Sequence, residues 1–230
     1  MNELSSYQSS YKDYKEEKDA DGMANCIIQM SQLIRMTQND EKTKKEASTK
    51  CQTIAEEAVK VIAELPIPTE DKVHSQTRCL CEIALLYETL GENEAAIHTY
   101  DHGITMMKSK LKNPGKYQVY GTMLNNKGLL LERRALYHDA LNCYVAAMNA
   151  HKKAVDFSCR AVREKSVKRN RANIRDVNRK LKLLSHSFKD YRKFVTATPD
   201  YRRFITSTMY AACKISAVGG QQREKQMEPV

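Results

Sequence analysis

The chain has 230 residues and carries 38 Lys/Arg against 28 Asp/Glu, a net charge of +10. Glycine (8) and proline (5) are scarce and tryptophan is absent, which favours long helices over sheets and turns. No apolar run is long enough to span a bilayer, no alternating Val/Ile/Thr-rich run marks a strand, and no enzyme motif is present. The missing motifs include a phosphate-binding glycine loop, a Gly-x-Ser-x-Gly elbow and a zincin pair.

The helical elements follow from the breakers. A first helix is predicted over residues 3–18, where the polar N-terminus has no apolar signal core. Asp19-Ala20-Asp21-Gly22 connects it to a second, with Ala24, Ile27, Ile28, Met30, Leu33 and Ile34 on its inner side. Gln38-Asn39-Asp40 ends that one. A long third helix, residues 41–65, presents Cys51, Ile54, Ala55, Ala58, Val59 and Ile62, and Pro66 and Pro68 stop it. Thr69-Glu70-Asp71 offers a hydroxyl cap and acids for the next first turn. Helices to Leu90 and over 92–111 follow, with Gly91 at the turn between them. Asn113-Pro114-Gly115 separates a further pair, 116–133 and 137–157. Residues 158–218 read as helical with one break at 196–200. Leu181, Leu183, Leu184, Phe188, Tyr191 and Phe194 are placed to cap the stack. Gly219-Gly220 opens a polar tail, 219–230, that reads as disordered.

Two stretches repeat one motif 44 residues apart. The first is Leu80-x2-Ile83-Ala84-x2-Tyr87 followed by Ala96-x3-Tyr100. The second is Leu124-x2-Lys127-Gly128-x2-Leu131 followed by Ala140-x3-Tyr144. Small residues at Ala84, Ala96, Gly128, Ala140 and Ala147 allow close helix approach, and the larger residues beside them line one helical face. Antiparallel helix pairs are the simplest way to bury all these faces.

This pattern resembles the tetratricopeptide repeat (TPR) family, over residues 77–110 and 121–154. Its long period is similar to the repeats of the kinesin light chain type. Lys127 stands where leucine is usual, Ala135 where the turn glycine is usual, and Gly103 replaces the late alanine. The resemblance implies an all-α, right-handed superhelical stack, an α-solenoid of about nine or ten helices. Residues 1–218 would form one repeat domain, with 158–218 as its basic helical cap. Residues 19–36 resemble the first helix of a further degenerate repeat.

The resemblance also implies a peptide-binding groove. The family's concave positions fall on Arg78, Cys81, Leu85, Glu88 and Thr89, then on Thr122, Asn125, Leu129, Glu132 and Arg133. Such a mixed surface suits a peptide held by hydrogen bonds and a few apolar pockets. Asn126 matches one asparagine of the family's carboxylate clamp. The clamp's lysine and second asparagine fall on Cys81 and Leu85, which argues against a chaperone C-terminus as ligand.

Charge is concentrated late in the chain. Residues 151–204 hold 17 Lys/Arg against 5 Asp/Glu. The densest part includes Arg163, Lys165, Lys168, Arg169, Arg171 and Arg175. This segment reads as an acidic partner's footprint or a solvated face ahead of a nucleic-acid site, because no stacking aromatic lies between Arg160 and Arg179. His98 and His102 are one turn apart but lack the rest of a zinc signature, so no metal or cofactor is expected. Seven cysteines, at 26, 51, 79, 81, 143, 159 and 213, read as reduced thiols of an intracellular, cytoplasmic protein. The function expected is a non-catalytic adaptor or scaffold that binds a protein or peptide in the groove. Nucleic-acid or anionic-surface binding through the basic helices is the alternative.

Overall fold

A computed structural model describes residues 3–37 and 40–197, with side chains to residue 36 and from 40 to 186. The elements are α1 (Glu3–Glu16), α2 (Ala20–Thr37), α3 (Glu41–Glu64), α4 (Thr69–Thr89), α5 (Asn93–Lys110), a 3-10 turn (Pro114–Lys116), α6 (Gln118–Arg133), α7 (Tyr137–Lys153) and α8 (Arg160–Ala197). No strand occurs among the described residues. Eight α-helices are therefore seen there. The further helix expected after Asp200 and the tail 219–230 lie outside the described residues.

Local chemistry sets most boundaries. Asp40 caps α3, its carboxylate accepting from the Thr43 N–H at 2.7 Å. Leu65 turns extended (φ −63°, ψ 143°) ahead of Pro66, as a residue before proline must. The two repeat turns close alike. At the first, Glu92 N–H donates to the Tyr87 carbonyl (2.9 Å) and Gly91 N–H to that of Glu88 (3.1 Å), with Gly91 at φ +78°. At the second, Leu136 N–H donates to Leu131 (2.9 Å) and Ala135 N–H to Glu132 (3.0 Å), with Ala135 at φ +58°. This double bond pattern is a Schellman closure, which needs a left-handed residue just past the helix.

Some boundaries depart from the sequence reading. Thr69 lies inside α4, whose cap position is Pro68 with no side-chain cap bond. Helix α7 stops at Lys153 rather than 157, and α6 begins at Gln118 rather than 116. Past α7 the chain extends, and Val155 N–H donates to the Lys116 carbonyl at 3.0 Å. This brings Asp156 to the start of α6, where its carboxylate accepts from the Gln118 N–H at 2.6 Å. A cap thus arrives from 38 residues downstream. Helix α1 also ends early, at Glu16, with Lys18 left-handed at φ +60°. The break expected at 196–200 does not interrupt Thr196 or Ala197, which are helical; 198–200 lie outside the described residues.

Contacts divide the chain into two compact units, Met1–Asn178 and Arg179–Val230. In the first, α2 adjoins α4 and α4 adjoins α6, while α3 packs on α2 and α4, α5 on α4 and α6, and α7 on α6. One core cluster gathers Met23, Ile27, Met30, Ile34, Cys51, Ala55, Ala58 and Ile62 with the back of α4. A second gathers Ala84, Ala96, Tyr100, Ile104, Met107, Met123, Leu130 and Ala147. In the second unit, Leu183 and Leu184 on α8 are exposed at 62% and 52%. The side chains of Phe188, Tyr191 and Phe194 lie outside the described residues.

Candidate functional site

The repeat's small residues sit where the helices touch. Ala84, Ala96, Ala140 and Ala147 are fully buried. A Cβ at Gly128 would lie 2.8 Å from the Tyr144 ring, and one at Gly103 would lie 2.7 Å from the Met123 sulfur. The tyrosine of each second helix reaches back to a glutamate of the first. Tyr100 donates to Glu88 at 2.8 Å and Tyr144 donates to Glu132 at 2.6 Å, both across 12 residues. Burial pushes the Glu88 carboxyl above its ordinary range against the lowering effect of the Tyr100 hydrogen bond, and burial holds the Tyr100 hydroxyl protonated.

From Tyr100 the polar contacts continue across the first unit. Asn126 donates to the Tyr100 hydroxyl (3.3 Å), Asn125 to Asn126 (3.2 Å), and Asn170 of α8 to Asn125 (2.8 Å). His151 Nδ1 donates to Asn170 at 2.8 Å, and Asn173 also donates to Asn125 at 3.1 Å. The chain therefore runs His151–Asn170–Asn125–Asn126–Tyr100–Glu88, with every donor pointing toward the carboxylate. His151, Asn125 and Asn170 are buried, and burial lowers the His151 pKa. This network ties α4, α5, α6, α7 and α8 to one another, while His151 Nε2 stays buried without a hydrogen-bond partner among the described residues.

The residues expected in the groove are placed unequally. Arg78 bonds Asp21 and Asn25 on α2. Cys81 is buried in the second core cluster, while Cys79 belongs to the first. Asn125 is covered by α8, and Asn126 is committed to Tyr100. Leu85, Thr89, Thr122 and Leu129 remain half-buried. Arg133 is exposed and stands 3.6 Å from Glu88, joining the ends of α4 and α6. Beside it, Glu132 holds Tyr144. Leu85 and Leu129 occupy equivalent places one period apart, with the Glu88–Arg133 pair at one end. Leu85, Thr89, Thr122 and Leu129 are thus half-buried members of the expected set on α4 and α6.

Of the basic residues, Lys165, Lys168, Arg169, Arg171 and Arg175 are exposed and Arg163 is half-buried. They lie on one helix, and Arg163, Lys168, Arg171 and Arg175 line one groove of about 720 Å³. His98 and His102 are exposed, and no group of His, Cys, Asp and Glu suited to a metal exists among the described residues. Among the described residues, no helix is long and apolar enough to cross a membrane. Sequence reading missed His151, Asn170 and Asn173. A signal was available: stepping the motif once more by 44 residues leads from Ala84 and Gly128 to Ala172, and from Cys79 and Met123 to buried Val167.

Antiparallel helix pairs on a 44-residue period, with first helices side by side, make this an all-α solenoid of TPR-like repeats. No family model matches the sequence, and no curated protein does. Among solved structures, the fold is similar to that of BtubC (BKLC) from P. vanneervenii. The TM-score is 0.56 and the identity 17%, over 81% of this chain and 66% of that one. A kinesin light chain array of nearly identical TPR-like repeats from Podosopora anserina gives a TM-score of 0.40 and 12% identity, over 84% of this chain and 99% of that one. The chain thus spans just under two thirds of BtubC.

Proposed function

We propose that this chain is a non-catalytic interaction module that holds a peptide or protein segment along the shared face of α4 and α6. The observation that carries this reading is the open strip of Leu85 and Leu129 closed at one end by Glu88 and Arg133. Two half-buried leucines one repeat apart can take apolar side chains, and the charged pair can orient the segment between them. The polar chain beneath the strip keeps it in one shape before a ligand arrives, which lowers the ordering cost of binding. The perturbed groups Cys79, Cys81 and Tyr100 are buried inside helix contacts, where they pack rather than meet a substrate. Burial raises the Cys79 thiol to about 12 and that of Cys51 to about 12, so neither is a ready nucleophile. Free thiols at Cys26, Cys51, Cys79 and Cys81 fit a reducing, intracellular setting.

The test is a pulldown from the native cell with wild type and a Leu85→Glu/Leu129→Glu variant. Partners held by wild type are expected to be lost by the variant while its melting temperature stays within a degree or two. Retention of the same partners by a folded variant would remove this face from the account.

A further inference from the structure

The first half of α8 is a third copy of the repeat's first helix. Its back face keeps the pattern. Cys79, Met123 and Val167, at successive 44-residue steps, are all buried. Glu82, Asn126 and Asn170, at equivalent steps, each bond to the preceding pair: Glu82 to Arg35, Asn126 to Tyr100, and Asn170 to His151. The small position runs Ala84, Gly128, Ala172. The face that packs against flanking second helices has been rewritten. Leu80 and Leu124 become Lys168, Ile83 and Lys127 become Arg171, and Tyr87 and Leu131 become Arg175.

In α4 and α6 this face is covered. Leu80 lies within 3.8 Å of the Cβ position of Gly103 on α5, and Lys127 is paired with Asp101 on α5. In α8, Lys168, Arg171 and Arg175 are exposed. They line the groove with Arg163, Val167 and with Lys152 from the end of α7. Five cations converge there, and none is ion-paired to a described carboxylate. The single acid in the groove wall, Glu164, is already held by Arg160 at 2.7 Å. The face that a flanking helix covers in α4 and α6 is thus exposed on α8, and its largely apolar lining has become cationic.

We propose that this groove is a second binding site, independent of the α4–α6 strip, and that it takes an acidic helical segment of a partner protein. Lys168, Arg171 and Arg175 fall at i, i+3 and i+7 and so form one stripe along the helix. Carboxylates at matching spacing on a facing helix would meet them in turn, while Val167 and the arginine and lysine stems supply an apolar floor. Nucleic acid is disfavoured because no aromatic side chain between Arg160 and Arg179 offers a base a stacking surface.

Fluorescence anisotropy on the full chain tests the proposal with three labelled probes. One is an alanine-based helical peptide with glutamates at i, i+3 and i+7. Another has the same composition with the glutamates dispersed around the helix. The third is a single-stranded oligonucleotide of equal charge. The striped peptide is expected to bind at least tenfold tighter than either other probe. Lys168→Gln/Arg171→Gln/Arg175→Gln is expected to weaken it at least tenfold, and Lys168→Gln/Arg171→Gln at least fivefold, while Lys108→Gln/Lys110→Gln on α5, which removes the same two charges as that double variant, leaves it within twofold. Equal binding of the two peptides would overturn the proposal, as would tighter binding of the oligonucleotide or an unchanged affinity of either α8 variant. Dimerisation of wild type abolished by the α8 substitutions would also overturn it, in favour of a second copy as occupant.

Discussion

Ala135 carries a Cβ into left-handed backbone at φ +58°, at the turn where the first repeat uses Gly91. Left-handed backbone disfavours a non-glycine residue by about 1–2 kcal/mol, offset partly by glycine's greater unfolded-state entropy. Ala135→Gly is therefore expected to stabilise by roughly 0.5–1 kcal/mol, read from chemical denaturation. Fully buried Ala96 and Ala140 give the opposite case: leucine at either overpacks a helix contact and should destabilise by roughly 1–3 kcal/mol. Unchanged stability in both would mean that the repeat's contacts are misassigned. His151 makes stability depend on pH. Burial lowers its folded pKa below the unfolded value of 6.5, so below that pH the unfolded chain binds more protons. The stability His151 supports is full above pH 6.5 and declines as pH falls through the folded pKa. Melting temperatures from pH 7.5 to 5.5 should drop more steeply for wild type than for His151→Gln, and identical slopes would contradict this.

At the scale of elements, the docking of α8 rests on Asn170 as much as on Val167 and Val177, all three buried. Asn170→Ala strands the His151 Nδ1–H and one partner of Asn125, which costs about 1–3 kcal/mol when buried polar groups lose their bonds. Faster amide exchange across residues 160–178, with α4 and α5 unaffected, is the expected signature. The repeat pairs themselves were legible because alanines, glycine and tyrosines recur at fixed steps. The polar chain was not, since Asn125 and Asn126 read as groove residues until α8 and α5 are in place around them. Asp156 capping α6 was equally hidden, because nothing near Gln118 in the sequence announces a cap. Lys168, Arg171 and Arg175 masked the third copy by replacing the apolar residues that mark the first two.

For the molecule as a whole, the two proposed surfaces both lie within the first unit and differ in character. The strip of Leu85 and Leu129 is apolar with a charged end, and the groove of α7 and α8 is cationic. The first follows from the family resemblance, which puts both leucines among its concave positions but also includes Arg78, Cys81 and Asn125, tied up by α2, the core and α8. The most direct test of the stack as a protein-binding module is site-specific photo-crosslinking in the native cell, with the probe placed in turn at Leu129 and at exposed His102 on α5. Discrete adducts at position 129 that are absent at position 102 are the result expected. The same adducts from both positions, or none from 129 in a folded protein, would contradict it.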